Sequence, residues 1–205
     1  GPQVAGVLAV EAARLSAFSG IAQRTLGGAA ELQTSFRSEP LAGFFDVTAE
    51  GRTRDLIVSQ PQADGILEGE VELSLSARRN TNGTFLSIER LTSPNAEISG
   101  SAALRSGASQ VEVAARLADA ALVLPQVNGP VRLAATANEI DGRWEWVLDS
   151  GFERTILTAN GTAVDLFGTP VIAANGRLAA DDLADFSELA GHPRQAERRR
   201  DAAGR

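Results

Sequence analysis

Few side chains in this sequence have the type and spacing for chemistry, and those that do lack the company it needs. His192 is the only histidine, and cysteine is absent. A zinc site or a His-based nucleophilic triad needs several such groups converging, so the favoured reading of His192, beside Pro193, is a solvated side chain. Asp181-Asp182 has the makings of an acid–base carboxylate pair, yet it stands where a helix carrying Leu183, Phe186 and Leu189 needs its N-cap. Glu139, Asp141 and Asp149 lie near a turn without the Gly-rich nonapeptide spacing of calcium-binding repeats; they read as solvated charges. No Gly-rich phosphate loop is present. Asn82-Gly83-Thr84 and Asn160-Gly161-Thr162 match a glycosylation acceptor, but Asn-Gly is also a strong hairpin signal, and the turn reading is preferred. Trp144 and Trp146, two apart on one strand face, are the aromatic candidates for contact with a ligand or a lipid; ordinary core packing competes for them. The sequence therefore predicts no catalytic residue, no metal site and no cofactor.

The scaffold is easier to read. The chain has 205 residues, 43% of them hydrophobic but only 5% aromatic, with 20 glycines. Ala, Val, Leu and Ile supply most of the apolar volume. The net charge of −7 argues against nucleic acid, whose binders carry a basic stripe. All basic residues are Arg. No run reaches the ~18 apolar residues of a membrane span, and with no initiator Met or signal peptide the chain reads as a piece of a longer protein.

Hydrophobicity alternates with period two. Val71, Leu73 and Leu75 share one face; so do Val111 and Val113, Val131 and Leu133, and Trp144, Trp146 and Leu148, with polar residues between. Asn-Gly at positions 82, 128, 160 and 175 and Asp-Gly at 64 and 141 predict tight hairpins. About a dozen antiparallel strands of 6–10 residues are expected. Glu11–Arg24 and Ala180–Gly191 instead show helical spacing and predict two short helical linkers.

The pattern occurs twice. Leu67-Glu-Gly-Glu-Val-Glu-Leu73 matches Val127-Asn-Gly-Pro-Val-Arg-Leu133. Gly83-Thr-Phe-Leu matches Gly142-Arg-Trp-Glu, Ile98–Ala102 matches Ala159–Ala163, and Ala115–Asp119 matches Gly176–Ala180, all 59 to 61 positions apart. Leu15–Ala22 likewise resembles Leu183–Ala190. Fixed-period self-similarity signals a stacked, elongated architecture, and one duplicated globular domain is the alternative source of two matched copies. The expected organisation is a helical linker over 1–25, a repetitive β segment over 26–179 with copies at 67–119 and 127–180, a second helical linker over 180–193, and a charged tail over 194–205.

Two of these features, the segment Leu183-Ala-Asp-Phe-Ser-Glu-Leu-Ala-Gly191 and the strand starts at Gly69, Gly129 and Gly161, resemble the inter-repeat linkers and repeats of the TamB family. TamB proteins are AsmA-like subunits of the translocation and assembly module. The resemblance runs from about Leu15 to Pro193. It implies an all-β, elongated, curved and mostly antiparallel sheet, a β-taco with a greasy interior. It further implies a periplasmic segment of an inner-membrane-anchored protein that moves phospholipid to the outer membrane or assists outer-membrane protein assembly with a TamA-like partner. Acyl chains would then lie along Val71, Leu73, Leu75, Val111, Val113, Val131, Leu133, Trp144, Trp146 and Leu148. Small residues such as Ala103, Ala115, Ala135 and Ala173 would leave room, and Val71→Asp or Leu133→Glu would block passage while the fold survives. The alternative is a closed β-solenoid or adhesin-like passenger with a dry core. A polysaccharide-cleaving β-helix would need an acid cluster on one strand face, and none is visible.

Overall fold

The computed structural model describes residues 2–152, 155–165, 169 and 171–180. The period-two segments form eleven strands: β1 (Val4–Ala12), β2 (Gly27–Glu39), β3 (Phe44–Ile57), β4 (Glu70–Asn80), β5 (Gly83–Thr92), β6 (Ala96–Leu104), β7 (Gln110–Leu117), β8 (Val131–Ile140), β9 (Arg143–Phe152), β10 (Thr155–Val164) and β11 (Val171–Ala180). They make one antiparallel sheet whose spatial order is the sequence order. Among the described residues each strand pairs only with its chain neighbours, and β1 and β11 are the outermost strands. This is an open meander, neither a solenoid nor a filled sandwich. All-β, antiparallel architecture is what the alternation predicts. The curl of a taco is not present: the sheet is uncurled. Strong bending needs bulges or glycine kinks repeated across a sheet, and this ladder slips register at two places, beside Gly28 in β2 and at Glu89-Arg90 in β5.

The linker expected over 1–25 is mostly something else. Val4–Ala12 is a strand paired along its whole length with β2, because Val4, Gly6, Leu8, Val10 and Ala12 continue the alternation. Only Leu15–Phe18, a 3-10 turn, and α1 (Ser19–Ala22) are helical. Two further helical pieces were not foreseen: α2 (Pro61–Ile66), with Pro at its first turn where the missing N–H costs nothing, and a 3-10 turn at Ala120–Leu122. The second predicted helix, over Ala180–Gly191, lies outside the described residues beyond Ala180, as do Asp181, Asp182 and His192.

These helical pieces all sit at one end of the sheet, in the long connections β1–β2, β3–β4 and β7–β8. The opposite end is closed by turns: Pro40–Gly43, Thr81-Asn82, Arg105–Ser109 and Asp141-Gly142. Asp141 (φ 52°) and Gly142 (φ 81°) are both left-handed, as a two-residue hairpin matched to strand twist requires. The Asn-Gly signal holds at Asn82-Gly83, in the β4–β5 hairpin, and fails at two other places. Asn160-Gly161 and Asn175-Gly176 lie in mid-strand, where Asn160 pairs with Asn175. Gly161 is there for want of a side chain: a Cβ would meet the carbonyl oxygen of Ala173 and come within 2.6 Å of the Trp146 ring.

The connections at the roofed end tie to one another. Ser59 Oγ donates to Thr25 O (2.8 Å), Asn95 Nδ2 to Gly65 O (2.8 Å) and Ser93 Oγ to Ile66 O (2.6 Å). Leu122 packs against Gly65. Asp119 accepts from the backbone N–H groups of Ala121 (3.0 Å) and Gly129 (2.9 Å), fixing both ends of its connection. Beneath this roof runs a cross-strand row of buried residues, Ala12, Ala30, Thr53, Val71, Ala96, Val131 and Thr155, which forms most of the core.

The copies over 67–119 and 127–180 hold four strands each, β4–β7 and β8–β11. Strand pairing corrects the residue matching between them. Thr81-Asn82 and Asp141-Gly142 are the equivalent hairpin loops, so Phe85 corresponds to Glu145, not to Trp144. The one-residue slip matters because it changes faces.

Candidate functional site

Register places every candidate lining residue on the same face, here called face A. Leu73 faces Leu91 and Leu75 faces Ile88 across β4–β5; Val111 faces Ala137 and Val113 faces Ala135 across β7–β8. Leu133 then meets Ser150, Ala135 meets Leu148, Ala137 meets Trp146 and Glu139 meets Trp144. Val71 and Val131 belong to the roofed row and are buried. Leu73, Leu75, Val111, Val113, Leu133, Trp144, Trp146 and Leu148 lie beyond the roof and are half-buried. Their burial comes from neighbours in the same sheet, since among the described residues no second layer packs over them.

Face A is apolar nearly throughout, with Phe36, Val47, Leu86, Ile88, Ile98 and Leu157 extending it onto strands the candidate set omits. Ten inter-strand steps of about 4.8 Å give a strip roughly 48 Å long. A depression of about 530 Å³ lies in it between β3 and β7, floored by Val47, Ala49, Leu75, Leu86, Ile88 and Val113. Of the small residues expected to make room, Ala115 and Ala135 are on face A, but Ala103 and Ala173 are on the other side, paired with Phe85 and Thr162. Alternation could not assign them because Ala tolerates either face.

The signal for part of this face was hidden in β5. Leu86, Ile88 and Leu91 break the period because the bulge at Glu89-Arg90 inserts one residue; both Glu89 and Arg90 then fall on the far side, where Ser74 Oγ donates to Glu89 (3.4 Å). That far side, face B, is charged over β1–β5. Glu11, Glu31, Glu50, Arg52, Glu72 and Glu89 line a polar concavity of about 680 Å³ there. Arg52 and Glu72 pair at 3.0 Å in the open, a contact worth at most about 1 kcal/mol. Concavities on both faces are what a twisted sheet produces.

Against known protein families, curated proteins and solved structures, the chain has no match. What it offers chemically must be read from its own residues. Glu139, Asp141 and Asp149 do not converge: Glu139 is on face A and accepts from Ser109 N (3.3 Å), Asp141 is in a hairpin, and Asp149 is on face B between Ala134 and Thr158. Among the described residues no group of three His, Cys, Asp or Glu side chains could hold a metal, and no helix is long and apolar enough to cross a membrane.

Proposed function

We propose that face A is a binding surface for acyl chains, and that the chain is a periplasmic segment of a TamB-like protein serving phospholipid transport or outer-membrane protein assembly with a TamA-like partner. The observation that carries this reading is a continuous apolar face that the described residues leave uncovered over most of its width, on an otherwise acidic and polar sheet. Soluble proteins rarely leave a patch of that extent bare unless something binds it. Laying an acyl chain along it gains ~0.8 kcal/mol per methylene removed from water. An open sheet with its apolar residues half-buried is suited to a lipid that slides, because no side chain has to leave a filled core to admit it. The helical roof forms one long wall, and the hairpins leave the other side clear.

The test is photo-crosslinking in cells that carry the full-length protein. Photoreactive residues at Leu73, Leu133 and Trp146 on face A should yield phospholipid adducts. The same probes at Glu72 and Glu145 on face B should not. Equal yields from the two faces would remove the reading, and adducts to an unfolded outer-membrane protein alone would select the assembly role over the lipid one.

A further inference from the structure

The hairpin end of face B carries a cluster that the apolar face does not use. A cross-strand row there runs Arg37, Asp46, Arg78, Phe85, Ala103. The Arg78 guanidinium carbon lies 5.2 Å from the centre of the Phe85 ring. That of Arg105, from the β6–β7 turn, lies 5.4 Å from the same centre. Each cation is attracted by the negative face of the ring, while the two repel each other. Asp46 stands across from Arg78 without forming an ion pair. Among the described residues the ion pairs are Arg52–Glu72 and Arg116–Glu97, both at the other end of the strands.

The backbone holds this arrangement in place. Gly83 has φ 131°, and a Cβ on it would meet the carbonyl oxygen of Leu104 and sit 3.0 Å from Arg105 Cγ, so a bare glycine lets the β4–β5 turn pack this closely against Leu104 and the stem of Arg105. Ser109, buried at 7% exposure, clamps Arg105 twice: its Oγ donates to Arg105 O (2.9 Å) and accepts from Arg105 N (3.2 Å). Asn80 Oδ1 accepts from Asn82 N (2.8 Å), which leaves the Asn80 amide N–H groups to donate elsewhere. Arg78, Asn80, Asn82, Phe85 and Arg105 together line a recess of about 540 Å³ with two guanidiniums, two carboxamides and no carboxylate.

We propose that this recess binds a phosphate group. Guanidinium forks match phosphate oxygens bidentately, and two forks plus two amides offer more donors than the two oxygens of a carboxylate can take. A bound phosphate would neutralise the paired cations and remove their mutual repulsion. The proposal does not depend on the reading of face A, since the recess opens on the opposite side of the sheet.

The experiment follows the arginine Nε–H and the Asn82 and Gly83 amide signals by NMR during titration with sodium phosphate, against sodium chloride at equal ionic strength. Saturable shifts specific to phosphate are expected. Arg78→Gln and Arg105→Gln should each weaken binding roughly tenfold, the loss of one charge-assisted fork, while Arg132→Gln, an exposed arginine at the roofed end of face B, should leave it unchanged. A second arm sediments the protein with phosphatidylcholine vesicles with and without phosphatidic acid. Vesicle binding that needs phosphatidic acid and both arginines identifies a lipid headgroup as the source, and saturation by free phosphate without vesicle binding identifies a soluble phosphate. Linear shifts equal to those in chloride, or binding that survives in the Arg78→Gln/Arg105→Gln variant, would overturn the proposal.

Discussion

The two ends of the sheet share strands, face and alternation, yet one holds most of the core and the other little of it. Val71, at the roofed end of β4, is fully buried at 0% exposure, while Leu86, at the hairpin end of the adjacent β5 and on the same face, is 44% exposed. The smaller side chain is the better buried. Connection length decides it: the long connections have residues to spare for helical turns that fold over face A, and the short turns at the opposite end have none. Hydrophobicity in this chain states which face a residue takes, and the loop beyond the strand states whether that face is covered.

The difference can be broken first where it is largest. Val71→Asp places an unpaired charge under the roof and should cost more than about 4 kcal/mol, read as a collapse of the urea midpoint. This replaces the expectation that Val71→Asp spares the fold; for Leu133→Glu, clear of the roof, survival of the fold remains the expected outcome. Asp119→Ala removes the acceptor for two backbone N–H groups that hold the third connection and should cost about 1–2 kcal/mol by the same denaturation. Thr53→Val sharpens the picture from the other direction: the buried Thr53 Oγ1 has no hydrogen-bond partner among the described residues, so an isosteric methyl should stabilise the protein by roughly 1 kcal/mol. Leu86→Ser, on the uncovered side, should shift stability by less than about 0.5–1 kcal/mol. Equal costs at positions 71 and 86 would mean the roof is not a core at all.

Much of the fold was legible because period two survives wherever a strand has one wet side. The residues of β4, β7, β8 and β9 chosen from alternation all reached the same face. What was not legible has particular causes. β1 reads as part of a helical linker because the helical spacing of Leu15, Phe18 and Ile21 draws the boundary too far toward the N-terminus. The face-A residues of β5 were hidden by a bulge that spends a residue without changing composition. Asn160-Gly161 read as a turn because the dipeptide carries no mark of whether its glycine serves a positive φ or the approach of a tryptophan. Of the roof, only the piece over Leu15–Ala22 shows in the helical spacing of Leu15, Phe18 and Ile21; Pro61–Ile66 and Ala120–Leu122 are too short for a 3.6-residue period, and Pro61 and Asp119 are the available signs. The Arg78–Phe85–Arg105 cluster joins two strands and a loop through register alone, and no spacing along the chain announces it.

The strictly sequential order of the strands also bears on how the chain acquires its structure. Every pairing links segments separated by a single connection, so closing each one costs little loop entropy, and an all-β protein built this way avoids the distant pairings that slow sandwiches and barrels. Stability then divides into neighbour-to-neighbour increments, as in repeat proteins. Assembly can begin at any hairpin and spread toward both edges, and damage at one edge strand is felt by its single partner before it reaches the middle.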